Sequence, residues 1–154
     1  MNEKSLVLER SIQRDLDAFA VLYEALGSPD LADASPQEEV IVVAYRLHTL
    51  YTAFENIFRN IAIAFENQVS QESWHREVLQ RMRLDLTPLR PAVIDAAAHS
   101  KLDELRRFRH VFRTMYGADL DALRLQVALR RALELRPLYR AQIENFLEFL
   151  RGIE

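Results

Sequence analysis

The sequence contains no cysteine, and only three glycines and five prolines occur in its 154 residues. The lack of cysteine excludes disulfides, cysteine-ligated zinc, iron–sulfur clusters and a thiol nucleophile. The scarcity of turn residues argues against a β-sandwich or barrel, which needs a turn roughly every ten residues. No apolar run approaches the roughly 18 residues that a transmembrane helix requires, so no membrane span is expected.

Neither sign of charge is in large excess, since the formal net charge is −3 at pH 7. The 20 basic residues include only two lysines, Lys4 and Lys101. Arginine binds phosphate well through its two-pronged guanidinium, but an arginine excess can equally reflect genome composition. The charged N-terminal segment does not fit a secretory signal, so a cytoplasmic location is expected.

What the sequence does have is the composition of a globular domain, with 49% hydrophobic and 28% charged residues. Its length predicts one folding unit over 1–154. Apolar residues recur at three- and four-residue spacing, which predicts an all-α bundle of four or five antiparallel helices, two of them unusually long. Gly27 and Gly117 are expected to end two of the helices, and Pro137 to kink or break the last one. The expected helices cover 5–26, 36–67, a shorter segment after Ser70, 93–116 and 119–151.

The segment 105–117 holds the densest cluster of side chains that can do chemistry. At about 100° per residue, Arg106, His110 and Arg113 fall within about 60° of one another on a helix. Arg107 flanks this group on one edge and Arg109 on the other. The opposite face carries the expected core stripe, formed by Leu105, Phe108, Phe112 and Met115.

A histidine among guanidinium groups suits phosphodiester chemistry. Histidine can act as a general acid or base near neutral pH, and arginines can hold the charge that develops on a pentavalent phosphate. The alternative interpretation is a solvated basic helix face that happens to contain one histidine. Both interpretations stay open on these residues alone.

The same segment resembles the signature of the HEPN superfamily, small all-α proteins with an arginine and then a histidine in the fourth-helix region. More specifically, the chain resembles the HepT-like ribonuclease toxins, whose partners are MntA-type minimal nucleotidyltransferase antitoxins. Three other segments and the leucine-rich tail over 120–150 are also similar to these proteins, so the likeness covers most of the chain. The three segments are 45–58 (YRLHTLYTAFENIF), 73–79 (SWHREVL) and 90–94 (RPAVI).

The resemblance implies a metal-independent endoribonuclease that needs no cofactor. It implies that His110 is the acid or base and that Arg107 or Arg106 stabilises the phosphorane. Arg109 and Arg113 would then hold the flanking phosphates of the RNA.

The chain departs from the pattern of the best-known members at two positions. Their motif is arginine, four residues, histidine, one residue and a tyrosine, and the antitoxin attaches AMP to that tyrosine. Here Leu105 stands at the arginine position and Phe112 at the tyrosine position. The arginine role therefore passes to Arg106 or Arg107. If the antitoxin attaches AMP to this protein, Tyr116 is the nearest hydroxyl on the helix, and inhibition by binding alone is the alternative.

The second helix carries a polar stripe formed by Tyr45, His48, Thr52, Glu55 and Arg59. HEPN proteins often place a polar or acidic residue of this helix beside the arginine–histidine pair, which nominates Glu55 as a supporting residue. The alternative is a surface ion pair between Glu55 and Arg59, four residues apart on a helix. His75 is expected to pack or cap at a helix start. The four histidines lack metal-ligand spacing, so no metal site is expected.

A symmetric homodimer is also expected, because a lone exposed histidine on a convex helix needs a second wall to orient a substrate. Two copies of the fourth helix facing each other would provide that wall, and HEPN proteins generally dimerise in this way. An alternative function comes from a different class. In it the protein is a non-catalytic HEPN helical module that binds a nucleotidyltransferase partner.

Overall fold

Five α-helices account for most of residues 2–66, 74–114 and 120–153, which are the residues that the computed structural model describes. The side chains of Val111, Arg113 and Thr114 lie outside that description. None of the described residues belongs to a β-strand, so the predicted all-α bundle is confirmed. The helices are α1 (Glu3–Leu26), α2 (Gln37–Glu66), α3 (Trp74–Met82), α4 (Ala96–Thr114) and α5 (Ala122–Arg151).

The ends of the helices follow local signals in the sequence. The Asn2 side chain accepts a hydrogen bond from the Ser5 backbone N–H and caps α1. At the other end of α1, Gly27 has a φ of 62°, a left-handed conformation that favours glycine, as predicted. The Asp121 side chain caps α5 by accepting from the backbone N–H groups of Leu123 and Arg124.

Three other residues were expected to begin, break or end a helix, and their outcomes differ. Pro137 lies inside α5, which continues through it as one helix, so the predicted break is wrong, while the kink stays a prediction. Ser70 and Gly117 lie outside the described residues. The single folding unit over 1–154 also stays a prediction.

The centre of the bundle is an aromatic cluster between α1, α2 and α5. Phe19 packs on Phe54, with 4.3 Å between ring centroids, and Tyr23 stacks on Tyr139. The Tyr23 hydroxyl donates a hydrogen bond to the Ala132 carbonyl at 2.9 Å, which satisfies its one buried polar group. Because α2 contacts each of the other four helices, it fixes where α3 and α4 lie.

A buried arginine fixes the connection from α3 to α4. Arg90 is 1% exposed and donates to Glu66 Oε1 at 2.7 Å and to the backbone carbonyls of Arg81 and Leu84. A charge at this depth is stable only when it is paired and hydrogen-bonded. The ion pair therefore ties residues 83–95 to the C-terminal end of α2 and sets the start of α4.

The core face of α4 differs from the predicted stripe. Ala98, Leu102 and Leu105 are buried, whereas Phe108 and Phe112 are only half-buried against the core. The reason is that Phe108 lines an open groove between α4 and α5, so no helix covers it fully. The buried face is thus centred on Ala98, Leu102 and Leu105 and is rotated away from that groove. Met115, the last member of the predicted stripe, lies outside the described residues.

Candidate functional site

His110 is exposed near the C-terminal end of α4. Two turns before it, the Asp103 carboxylate binds two arginines at once. Arg106 Nε donates to Asp103 Oδ1 at 2.9 Å, and Arg107 Nη2 lies 3.1 Å from Asp103 Oδ2. Asp103 therefore holds both candidate arginines on the helix face that carries His110, with one arginine on each side.

The two arginines differ in their surroundings. The side chain of Arg106 is 20% exposed and that of Arg107 is 66% exposed. Arg106 is directed toward α2, where its positive charge acts on the Tyr51 hydroxyl. Arg107 instead lines the groove between α4 and α5. Arg106 and Arg107, which the sequence left as alternatives for one role, therefore differ in burial and in surroundings.

Beneath this face α2 packs on α4, and charges from both helices act on the buried hydroxyl of Tyr51. Burial raises the pKa of Tyr51 well above its ordinary value, and the Glu55 carboxylate adds to that rise. The guanidinium groups of Arg106 and Arg109 oppose it, and Asp103 adds a smaller increase. We refer to Tyr51, Glu55, Asp103, Arg106 and Arg109 as the α2–α4 junction.

Arg109 belongs to this junction and not to the outer rim, where the sequence placed it. Its Nε is buried and lacks a hydrogen-bond partner within the described part of the chain. The rotated core face of α4 explains the difference, because Arg109 follows Leu102 and Leu105 around the helix. Arg113 lies on α4 with its side chain outside the description, and Tyr116 lies outside the described residues.

The groove on the Arg107 side has a volume of about 370 Å³. Phe108, Val127 and Ala128 give it apolar walls. Two arginines, Arg107 and Arg124, and two carboxylates, Glu104 and Asp121, also line it, so the groove has no excess of either charge.

Glu55 occupies a different place from either interpretation of the sequence. It is 4% exposed, and its Oε2 lies 2.7 Å from His75 Nδ1 on α3. The surface ion pair with Arg59 is therefore wrong, since Glu55 is buried and Arg59 lies over the Trp74 ring, 5.5 Å from its centroid. The His75 ring also packs against the Trp74 ring, with 3.8 Å between centroids, as expected for a packing residue. Its hydrogen bond to Glu55 was not expected.

The two remaining histidines also lie near α4. The His48 ring packs on Phe112, with 5.4 Å between centroids. His99 is half-buried on α4, and burial lowers its pKa below the ordinary 6.5, with the Arg83 and Arg106 charges adding to the fall and Asp103 opposing it. Within the described ranges, histidine, aspartate and glutamate form no group of three that could hold a metal ion.

The structure brings together more residues than the sequence nominated. Asp103 was missed although its spacing of three and four residues from Arg106 and Arg107 is a helical ion-pair signal. Tyr51 was not singled out, because a tyrosine at core spacing looks like any other core aromatic. His75 meets Glu55 from 20 residues away, and no local pattern indicates that contact.

One comparison with known proteins gives a match. A family model described as "HepT-like protein" matches residues 42–150, which include α3, α4 and most of α2 and α5. HepT-like proteins are generally ribonuclease toxins. No curated protein and no solved structure matches the chain significantly. None of the described helices combines the length and the apolar character needed to cross a bilayer.

Proposed function

This chain belongs to the family of HepT-like proteins, and from that premise we propose that it is a toxin-type endoribonuclease that cleaves RNA without a metal ion. One observation carries the proposal. An exposed histidine lies on α4 with two arginines one turn before it, and a single carboxylate, Asp103, holds both arginines.

The proposed reaction is attack of the ribose 2′-OH on the adjacent phosphate. His110 acts as the general acid or base, and Arg107 or Arg106 stabilises the negative charge of the phosphorane. Arg113 holds a neighbouring phosphate, Arg109 adds positive charge from the α2–α4 junction beneath the site, and Glu55 supports the site from α2. The products are a 2′,3′-cyclic phosphate and a 5′-hydroxyl, which need no water in the first step.

We place this chemistry in a cleft between two copies of the chain. His110 lies on a convex helix face, which offers one wall to a flexible substrate, and a twofold axis would add the second. Each copy would contribute His110 and five arginines to a basic groove on a net acidic protein. Those arginines are Arg59, Arg106, Arg107, Arg109 and Arg113. A stable dimer of this kind would bury about 1,600 Å².

The partner that restrains the toxin would be a nucleotidyltransferase-type antitoxin. If it works by attaching AMP, Tyr116 is the nearest hydroxyl on the α4 segment that could accept the group. An AMP there would add negative charge and bulk near the arginines and repel RNA. Intact-mass spectrometry after co-expression tests this, with loss of the added mass expected in Tyr116→Phe. An unchanged mass in the co-expressed protein contradicts adenylylation and leaves inhibition by binding.

A second candidate function is a non-catalytic helical module that binds the nucleotidyltransferase. The observation that favours it is that Asp103 neutralises part of the charge of both candidate arginines. Under this function the protein binds its partner but leaves RNA intact, and His110→Ala is as toxic as the parent.

The products distinguish the two functions. The parent protein is incubated with total RNA in EDTA, and the new ends are identified. We expect 2′,3′-cyclic phosphate and 5′-hydroxyl ends, and slow growth of cells that express the protein alone. Ends with 3′-hydroxyls, or cleavage that EDTA abolishes, contradict the proposed mechanism. RNA that stays intact contradicts the enzyme.

A further inference from the structure

The Glu55–His75 pair is an unusual way to join two helices. A carboxylate that is almost completely buried loses its hydration, and it is stabilised only by good partners. The hydrogen bond that Glu55 makes within the described residues goes to a histidine, at 2.7 Å, whose side chain is 30% exposed. A buried structural carboxylate is better served by arginine, as Glu66 is by Arg90.

The geometry fixes the orientation of the imidazole. A carboxylate oxygen accepts, so His75 Nδ1 carries the proton in this hydrogen bond, and Nε2 lies on the other edge of the ring. Contact with the Trp74 ring, tilted by 31°, restricts the plane of the imidazole. The buried carboxylate thus sets the tautomer and leaves Nε2 as the ring nitrogen that can exchange a proton, as in a catalytic carboxylate–histidine pair.

The pair lies beside the candidate arginines of α4. The Glu55 carboxylate acts on the Tyr51 hydroxyl, and so do the charges of Arg106 and Arg109. Two contacts show that α2 and α4 run in opposite directions: Glu66 binds Arg90 just before α4, and His48 packs on Phe112 near the end of α4. Glu55 lies between Glu66 and His48 on α2, so the Glu55–His75 pair is level with the middle of α4, where Arg106 lies. The helix that carries His75, α3, packs on both α2 and α4.

We propose that His75 is a second proton-transfer group of the same nuclease, and that Glu55 is its positioning residue. The inference rests on the ribonuclease function proposed above. A phosphate bound at Arg106 would meet His110 from one side and His75 from the other.

The proton balance of the reaction explains why two groups are needed. One base takes the proton from the 2′-OH as its oxygen attacks phosphorus. The bond from phosphorus to the 5′-oxygen then breaks, and one acid gives that oxygen a proton. No oxidant, reductant or metal enters, and each histidine ends in the protonation state in which the other began. His75 performs whichever of the two transfers His110 does not.

Two conservative variants test the pair without removing its hydrogen bond. In His75→Gln the side-chain amide can still donate to Glu55, but it cannot exchange a proton, and we expect cleavage to fall by about 10²- to 10⁴-fold. In Glu55→Gln the carbonyl can still accept from His75, but the charge is lost, and we expect a fall of about 10- to 100-fold.

The matched control is Glu9→Gln. Glu9 is also a buried glutamate, and it binds Arg151 across the boundary between α1 and α5, at 3.1 Å and away from α4. We expect Glu9→Gln to cleave like the parent. If Glu55→Gln matches Glu9→Gln in both cleavage and melting temperature, the pair is a structural joint and the inference is overturned.

A modified substrate gives a readout that a structural role cannot produce. The probe is a short RNA that contains one site mapped with the parent protein, with sulfur replacing the bridging 5′-oxygen at that site. A thiolate leaves without a proton, so the substrate suppresses the defect of whichever variant lacks the acid. We expect suppression in either His75→Gln or His110→Ala, but not in both. Suppression in both or in neither overturns the inference.

The outcomes for this inference and for the proposed function differ. If the parent cleaves RNA, His110→Ala is inactive and His75→Gln cleaves at the parental rate, the inference fails and the nuclease stands. If the parent cleaves no RNA, both fail. If His75→Gln does not fold, Glu55→Gln replaces it in the experiment with sulfur-substituted RNA. We then expect suppression in either Glu55→Gln or His110→Ala, but not in both.

Discussion

The two sides of the bundle each bury a tyrosine and a glutamate, and they use them differently. Between α1 and α5, Tyr23 donates to a backbone carbonyl and Glu9 binds Arg151. Between α2, α3 and α4, Tyr51 lies among charges from two helices and Glu55 binds His75. Burial raises the pKa of both tyrosines, so both hydroxyls stay protonated at any physiological pH.

The difference lies in which side can exchange a proton. Arg151 is permanently charged, so the Glu9 pair can only hold two helices together. His75 carries an imidazole, which can both donate and accept a proton. All four histidines of the chain lie on α2, α3 or α4, and none on α1 or α5. The α1–α5 side is thus a structural joint, whereas the α2–α4 side has the groups that chemistry needs.

The largest expected effect is on stability and compares two arginines. Arg90→Met leaves Glu66 buried without its closest cation, and we expect a loss of about 3–5 kcal/mol in the free energy of unfolding. Arg151→Met removes a guanidinium that is 47% exposed, and we expect about 1 kcal/mol or less. Urea denaturation measures both. Equal losses would show that burial does not distinguish the two pairs.

The next effect is on cleavage and decides between Arg106 and Arg107. Loss of the arginine that stabilises the phosphorane should lower the rate by about 10²- to 10³-fold, and loss of the other should cost less. The matched control is Arg140→Ala, because Arg140 is also exposed and pairs with a carboxylate four residues away, Glu144. Single-turnover cleavage measures all three variants. An equal effect of Arg140→Ala would contradict a specific site on α4.

A pair of tyrosine variants gives a smaller effect. Tyr23→Phe removes the hydrogen bond to the Ala132 carbonyl, and we expect a loss of about 1 kcal/mol in stability with unchanged cleavage. Tyr51→Phe removes the buried hydroxyl on which the charges of Glu55 and Arg106 both act, and we expect cleavage to fall several-fold. Cleavage and thermal melting are measured on both proteins. If Tyr23→Phe lowered cleavage and Tyr51→Phe left it unchanged, the assignment of chemistry to the α2–α4 side would be contradicted.

The smallest expected effect concerns the pH dependence of stability through His99. Since burial lowers the pKa of His99 in the folded state, the unfolded chain takes up this proton first as the pH falls. The stability contributed above about pH 6.5 is therefore lost as the pH falls toward the folded-state pKa. His99→Gln should flatten the slope of unfolding free energy as the pH falls below about 6.5. A slope equal to that of the parent would contradict a lowered pKa of His99 in the folded state.

The helices could be predicted from the sequence because their signals are local. Apolar spacing placed all five, and Gly27 ended α1 as expected. The break at Pro137 was wrong because a proline in a long helix can be held in place by packing on both sides. Here Leu135 and Tyr139 are buried next to it, which keeps α5 continuous.

The candidate site was predictable only along α4. His110, Arg106 and Arg107 lie on one segment, so their common face follows from helical spacing. Glu55 could be nominated, but its partner could not, because the contact with His75 depends on how α3 packs on α2. The inward position of Arg109 likewise depends on the rotation of α4, which is set by Ala98 and Leu102 against the core.

The most direct test of the central claim is single-turnover cleavage of RNA in EDTA by the parent and by His110→Ala. His110 is exposed, so the variant should keep the parental melting temperature. We expect the cleavage rate of His110→Ala to fall by about 10²- to 10⁴-fold without a change in stability. A variant that cleaves RNA at the parental rate would contradict the placement of the chemistry on α4.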